Sequence, residues 1–207
     1  MFAASFALGQ VPPKEPGPFR PSDLVEIVEF DPTIRLEIRY ATKNNFLGRS
    51  VYKEARAFLQ RPAAEALVRA NQALRAKGFG LMVFDGYRPW HVTRVFWRNT
   101  PKDKKMFVAD PAKGSRHNRG CAVDLTLFDL KTGQAVTMPS EFDEMTERSY
   151  AYYAGSTPEA TRMRDLLAVS MTAEGFRVFD TEWWHFDYKD WKEYAILDLE
   201  FGEIQSK

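Results

Sequence analysis

Two short stretches of this chain carry side chains that can bind a metal ion. The first reads G-S-R-H-N-R-G-C-A-V-D-L-T-L and contains His117 and Asp124, seven residues apart. The second reads T-E-W-W-H-F-D-Y and contains Glu182 and His185. The chain has 3 histidines, and two of them lie in these stretches. Two imidazoles and a carboxylate suit a catalytic zinc site, in which water takes the fourth position.

The spacing of the first stretch constrains its local structure. Residues seven apart on one strand face opposite sides, so His117 must lie before the strand that carries Asp124. Gly120 gives the chain the freedom to turn between them. Cys121 is a further candidate ligand, but its place beside Ala122 at the start of a strand favours a packed small residue. Considered singly, the three residues are better explained without a metal: His117 as a surface histidine, Asp124 as a strand-end carboxylate and His185 as a packed core ring.

The elements that must position these residues follow from the hydrophobic pattern. Strands are predicted over residues 24–28, 34–40, 79–84, 121–128, 135–138, 176–179 and 183–188. The alternation over 34–40 is typical of a half-buried strand, and the turn after residue 130 predicts a hairpin with 135–138. Helices are predicted over 62–77, 90–99 and 157–174. Because strands and helices do not alternate regularly, we expect an α+β fold with a largely antiparallel sheet flanked by helices.

Composition limits the classes of protein that this chain can be. It has 207 residues, of which 44% are hydrophobic and 28% charged, as in an ordinary globular domain. The 29 basic and 28 acidic residues leave a net charge of +1 with no block of like charge, so nothing indicates a nucleic-acid partner. One cysteine excludes an intramolecular disulfide. No stretch is long enough to be a transmembrane segment, and the oligomeric state stays open.

The amino terminus differs in composition from the rest of the chain. Residues 1–21 are predicted to be an apolar stub and a Pro-rich linker, and residues 22–207 a single domain. The apolar stub could be the remnant of a signal peptide, although it lacks a basic leading region. Export is therefore open, as is the choice between cytoplasm and periplasm.

Five stretches match one enzyme family in type and in order. They are Tyr40-Ala41-Thr42 with Asn44-Asn45-Phe46 and Gly48, Asp85-Gly86-Tyr87-Arg88-Pro89, Ser115-x-His117-x-x-Gly120-x-Ala122-x-Asp124, Phe142-Asp143 with Met145 and Glu147-Arg148-Ser149, and Glu182-Trp183-Trp184-His185. Together they resemble the zinc D-Ala-D-Ala dipeptidases of peptidase family M15, within the hedgehog/D-Ala-D-Ala metallopeptidase group. The resemblance extends over about residues 24 to 188 and implies the fold of that group.

The resemblance also implies a role for each catalytic side chain. One zinc ion per chain would be bound by His117, Asp124 and His185. Glu182 would be the general base, taking a proton from the attacking water and passing it to the leaving amine. Arg88 would stabilise the oxyanion of the tetrahedral intermediate; the alternative is a turn arginine solvated at the surface. Since Glu182 and His185 would face opposite ways on a regular strand, we expect Glu182 at an irregular strand start.

The implied substrate is the dipeptide D-alanyl-D-alanine, hydrolysed to two D-alanine molecules in cell-wall precursor turnover or glycopeptide resistance. A free dipeptide has two charged ends, and Asp143 is the candidate for its ammonium group, because a buried carboxylate needs a partner. Ser115 and Tyr40 resemble family residues that line the substrate pocket. For Ser115 and Asp143, a role in the local turn is the alternative.

Two rival functions remain. The first is a D,D-carboxypeptidase or endopeptidase on the same scaffold that cuts peptidoglycan stem peptides; the Glu-Trp-Trp-His sequence and the Asp143 region favour the dipeptidase. The second is a non-catalytic zinc domain that binds a protein partner. Glu182 and Arg88 beside a complete ligand set argue against it.

Overall fold

The computed structural model of this chain describes residues 11–205, so the apolar stub lies outside the described range. The described residues form seven strands and four α-helices. In chain order these are β1 (Leu24–Glu26), α1 (Ile27–Phe30), β2 (Arg35–Leu36), β3 (Phe58–Gln60), α2 (Arg61–Arg75), β4 (Phe79–Asp85), α3 (Trp90–Asn99), β5 (Ala122–Asp129), α4 (Pro158–Ala173), β6 (Phe176–Phe179) and β7 (Glu182–Tyr188). Within this range no helix is long and apolar enough to cross a bilayer.

Five of the strands form one mixed sheet in the order β2-β4-β5-β7-β6, and β1 pairs with β3 separately. Only the β2–β4 pairing in the larger sheet is parallel; the other three pairings are antiparallel. Helices α2 and α4 pack against this sheet and against each other. The predicted α+β fold with a largely antiparallel, helix-flanked sheet is therefore confirmed.

The three predicted helices, α2, α3 and α4, begin within one residue of their predicted starts. Pro62 lies in the first turn of α2, where the missing backbone N–H is not needed. Thr157 caps α4, its hydroxyl oxygen accepting a hydrogen bond from the Ala160 N–H. The apolar face of α2 is fully buried, with Leu67 and Leu74 each 0% exposed.

Three strand predictions are wrong in extent. The strand over 24–28 ends at Glu26 because a helical turn begins at Ile27. In the stretch over 34–40 the alternating burial holds, but only β2 is paired. The chain then enters a 3₁₀ turn, Arg39–Ala41, and the Tyr40 carbonyl accepts hydrogen bonds from the N–H groups of Val51 and Tyr52.

The predicted hairpin over 135–138 reduces to a single bridge between Phe128 and Ala135. The turn itself forms, with the Gly133 N–H donating to the Asp129 carbonyl at 2.8 Å. Beside this bridge, the Val136 N–H donates to the Leu127 carbonyl at 3.0 Å.

The sheet separates its apolar residues from its polar ones by simple alternation. Val123, Leu125 and Phe186, each 0% exposed, belong to the hydrophobic core. Asp124 and His185 are direct cross-strand partners, and they face the other side. The centre of the sheet therefore supplies a rigid base for the two proposed ligands.

Candidate metal centre

Three donor atoms converge on one point above the sheet. His117 Nε2 lies 3.1 Å from His185 Nδ1 and 3.3 Å from Asp124 Oδ1. His185 Nδ1 lies 2.9 Å from Asp124 Oδ1. Ligands about 2.0–2.1 Å from a tetrahedral zinc ion would be about 3.3–3.4 Å apart. The residues present thus fit a zinc ion with little movement, and all three side chains are buried.

The three proposed ligands come from different elements. His117 begins a single 3₁₀ turn, His117–Arg119, that precedes β5, so the prediction that it lies before the strand is confirmed. Gly120 ends this turn with a φ of 67°, a left-handed conformation that favours glycine. Cys121 is buried and lies outside the donor group, as expected for a packed residue.

A second set of contacts fixes each imidazole in the form that binds metal. His117 Nδ1 lies 2.7 Å from the Gly86 carbonyl oxygen, which can only accept, so this nitrogen carries the proton. His185 Nε2 lies 2.9 Å from Asp187 Oδ1 and donates to it. With a zinc ion bound, the opposite ring nitrogens, His117 Nε2 and His185 Nδ1, would supply the lone pairs. Asp187 was not among the residues predicted from the sequence, although its position two residues after His185 on a strand places it on the same face.

Arg88 lies beside the proposed ligands and is only 7% exposed. Its Nε and Nη2 donate to Asp85 Oδ2 at 2.9 and 2.8 Å, and its Nη2 lies 3.6 Å from Asp124 Oδ2. The other Asp85 oxygen accepts from the Tyr52 hydroxyl at 2.8 Å. The alternative of a solvated turn arginine is therefore wrong. Asp85 belongs to one of the matched stretches, but its ion pair with Arg88 was not predicted from the sequence, and neither was the contact with Tyr52.

Charge compensation keeps this cluster ionised in spite of its burial. Burial alone would raise the pKa of Asp124, but the adjacent His117 and His185 rings hold that pKa below its usual range. Burial would likewise lower the pKa of Arg88, but Asp85 raises it well above its ordinary value. Arg88 therefore presents a fixed positive charge next to the donor atoms.

Glu182 lies at an irregular start of β7, as predicted. Val178 pairs with Phe186, yet its neighbour Phe179 pairs with Glu182, so β7 bulges between them. The bulge brings Glu182 Oε2 within 3.7 Å of His185 Nδ1, whereas a regular strand would point these side chains apart. Burial raises the pKa of Glu182, against a smaller lowering by His185.

A cavity of about 120 Å³ opens over the donor atoms, and all the predicted site residues line it. At one end the Tyr40 hydroxyl donates to Asp143 Oδ1 at 2.9 Å. The other Asp143 oxygen is buried with no hydrogen-bond partner, and burial raises the pKa of this carboxyl to about 8. Asp143 also has a φ of 63°, so its backbone holds the carboxylate in place at a conformational cost.

Ser115 lines this cavity and also forms hydrogen bonds within the local turn. Its hydroxyl oxygen accepts from the His117 N–H at 3.2 Å, and its own N–H donates to Asn118. The hydroxyl hydrogen is thus available for a second partner. His91, the third histidine, lies elsewhere and contacts Asp198 at 2.7 Å.

Two loops form the rim of the cavity. Met106 and Phe107 come from the loop after α3, and Met145 from the loop that carries Asp143. The Lys104 ammonium group donates to the Met145 carbonyl at 2.9 Å and so joins the two loops. The two loops that border the cavity are therefore held together by this hydrogen bond.

Comparison with known proteins gives consistent matches. The family described as D-ala-D-ala dipeptidase, peptidase family M15, matches residues 20–206. The D-alanyl-D-alanine dipeptidase of Escherichia coli (strain K12) is 36% identical over 181 residues, which cover 87% of this chain and 92% of that protein. The D-alanyl-D-alanine dipeptidase of Enterococcus faecium is 34% identical over 175 residues, covering 76% and 87% respectively. Among solved structures, the LD-carboxypeptidase LdcB is 18% identical with a TM-score of 0.47, and the alignment covers 93% of this chain and 83% of that one.

Proposed function

Because this chain belongs to the M15 family of D-Ala-D-Ala dipeptidases, we infer that it is a zinc peptidase that hydrolyses D-alanyl-D-alanine to two D-alanine molecules. The observation that carries this inference is the convergence of His117, Asp124 and His185 beside Glu182 in one small cavity. A zinc ion held by the three ligands would polarise the peptide carbonyl and lower the pKa of a water molecule.

Glu182 has the geometry of the general base. Its carboxylate lines the cavity next to His185, where it can accept a proton from the attacking water. The same carboxylate can then return that proton to the leaving amine. The bulge at the start of β7 is what gives Glu182 this position.

Arg88 is the proposed oxyanion stabiliser. Negative charge develops on the carbonyl oxygen during attack, and a preoriented cation in a dry site stabilises it strongly. Asp85 fixes the guanidinium through two hydrogen bonds, so little rearrangement is needed when the charge appears.

Asp143 and Ser115, which both line the cavity, could bind the two charged ends of a free dipeptide. The substrate ammonium would donate to the unpartnered oxygen of Asp143. This contact would offset the free-energy cost of burying that oxygen without a hydrogen-bond partner. The Tyr40 hydroxyl holds the same carboxylate from the other side. Ser115 can donate its hydroxyl hydrogen to the substrate carboxylate.

The small volume of the cavity, about 120 Å³, favours a free dipeptide over a long stem peptide. The test is to incubate the purified protein with D-Ala-D-Ala, before and after chelation, and to quantify D-alanine. We expect metal-dependent release, and a D-Ala-D-Ala-terminated stem peptide to react much more slowly. Release from the stem peptide but not from the dipeptide would instead favour the carboxypeptidase.

A variant separates the role of Glu182 from metal binding. Glu182→Gln should lower kcat by about 10²–10⁴-fold, the usual contribution of a general base, while zinc content stays at one ion per chain. Glu159→Gln, an exposed position in the first turn of α4, is the matched control and should keep full activity. Near-normal turnover of Glu182→Gln would refute the assignment.

A further inference from the structure

The amino-terminal segment before β1 packs along residues near the carboxyl end of the chain. The Arg20 N–H donates to the Glu193 carbonyl at 2.8 Å, and the Arg20 and Glu193 side chains form an ion pair. Further upstream, the Glu15 carboxylate accepts from the Ile196 N–H at 3.3 Å. The Pro-rich segment is thus attached to the folded domain at two places.

Glu15 also forms an ion pair with Arg119, the last residue of the turn that carries His117. Arg119 is 6% exposed, and its guanidinium also donates to the Tyr194 carbonyl and lies over the ring of Trp191. A buried guanidinium that loses its carboxylate is strongly destabilised. Arg119 therefore depends on a residue from the amino-terminal segment.

The backbone of Arg119 is part of the structure that holds His117 in place. Its N–H donates to the Arg116 carbonyl at 3.1 Å, and its carbonyl accepts from Gln60 Nε2 at 2.9 Å. The Gly120 N–H that follows donates to the His117 carbonyl at 3.0 Å. A displacement of the Arg119 side chain would accordingly move the turn and, with it, the imidazole.

We propose that Glu15 is a positioning residue for the metal centre: through Arg119, its carboxylate holds the turn that presents His117 to zinc. This inference rests on the proposed role of His117 as a ligand. The amino-terminal segment then helps to hold the zinc site in place. Proteolytic removal of the residues up to and including Glu15 would therefore weaken zinc binding.

The experiment compares Glu15→Gln, which removes the charge at constant size, with Arg20→Gln, which breaks the exposed ion pair of the same segment. Zinc affinity is measured by competition with a chromophoric chelator, and ligand geometry by the visible absorption of the cobalt-substituted protein. Glu15→Gln should weaken zinc binding about three- to tenfold, less than the ~10–100-fold typical of groups that touch a ligand directly. It should also shift the cobalt spectrum, whereas Arg20→Gln should do neither.

Two further variants make the outcome decisive. In an Arg119→Met background, Glu15→Gln should cause no additional loss of affinity, because the two residues act in one pathway. Glu15→Asp keeps the charge and should retain most of the affinity, which also provides a folded variant if Glu15→Gln does not fold. Equal loss in Glu15→Asp and Glu15→Gln, or wild-type affinity in Glu15→Gln, would overturn the proposal.

His117→Ala separates a failure of this proposal from a failure of the proposed function. If His117→Ala binds zinc as tightly as the wild type, the metal centre itself is wrongly assigned. If His117→Ala loses zinc but Glu15→Gln does not, only the role of Glu15 is refuted.

Discussion

Replacing Gly120 by alanine should destabilise the metal-free protein by about 2–5 kcal/mol, because two separate costs add at this position. Gly120 has a φ of 67°, and an L-residue in the left-handed region costs about 1–2 kcal/mol. A methyl group there would also lie 2.4 Å from Leu24 Cδ2 and 3.3 Å from the Gln60 backbone nitrogen. Crowding in a packed interior typically costs a further ~1–3 kcal/mol.

Gly48→Ala is the matched control for this prediction. Gly48 has a similar φ of 64°, but an added methyl group would have no heavy atom within 4 Å, so only the backbone cost applies. The assay is urea unfolding with metal chelated, followed by tryptophan fluorescence. With a slope of about 2 kcal/mol per M, the midpoint of Gly120→Ala should lie about 0.5–1.5 M below that of Gly48→Ala. Equal midpoints would refute the argument that packing against Leu24 and Gln60 constrains the turn.

Three other predictions address the surroundings of the site. Asp187→Asn should weaken zinc binding by about 10–100-fold in a chelator competition, because Asp187 orients His185; unchanged affinity would contradict that role. Burial raises the pKa of Asp143 to about 8, so the folded metal-free protein keeps a proton that the unfolded chain releases near pH ~4. The free energy of unfolding of the metal-free protein should therefore fall as the pH rises from about 4 to about 8. Asp143→Asn should reduce that fall, as measured by urea unfolding at several pH values. An unaltered pH dependence in Asp143→Asn would contradict the claim that burial raises the pKa of Asp143. Burial also raises the pKa of the Cys121 thiol, so a thiol reagent at pH ~8 should label it only after unfolding, and rapid labelling of the native protein would be the contrary result.

The sequence predicted those parts of the fold that local patterns encode. α3 has the predicted bounds because its apolar residues recur at helical spacing between Pro89 and Thr100. The stretch over 34–40 was misjudged because the same alternating burial arises without pairing. The Tyr40 carbonyl there accepts hydrogen bonds from the N–H groups of residues 51 and 52, and no local sequence pattern predicts such a contact.

The same distinction applies to the site. His117, Asp124 and His185 could be proposed as ligands from the sequence because metal binding demands particular residue types, and the matched stretches contain them. The ion pair of Asp85 with Arg88 was not predicted, and Tyr52 supports Asp85 through a contact between residues 33 apart in sequence. Such partners leave no signal in residue type, since a buried carboxylate and a tyrosine are common in any core.

The mutual contact between the end of β4 and the His117 turn bears on how this enzyme can be redesigned. The Gly86 carbonyl accepts from His117 Nδ1, and the Arg88 N–H donates to the His117 carbonyl at 3.1 Å. Arg88, the proposed oxyanion stabiliser, and His117, a proposed ligand, are therefore linked through their backbones, and neither can be moved without the other. Directed evolution toward new dipeptides should for this reason accumulate its changes in the rim loops around Met106 and Met145, while the interior of the site resists variation.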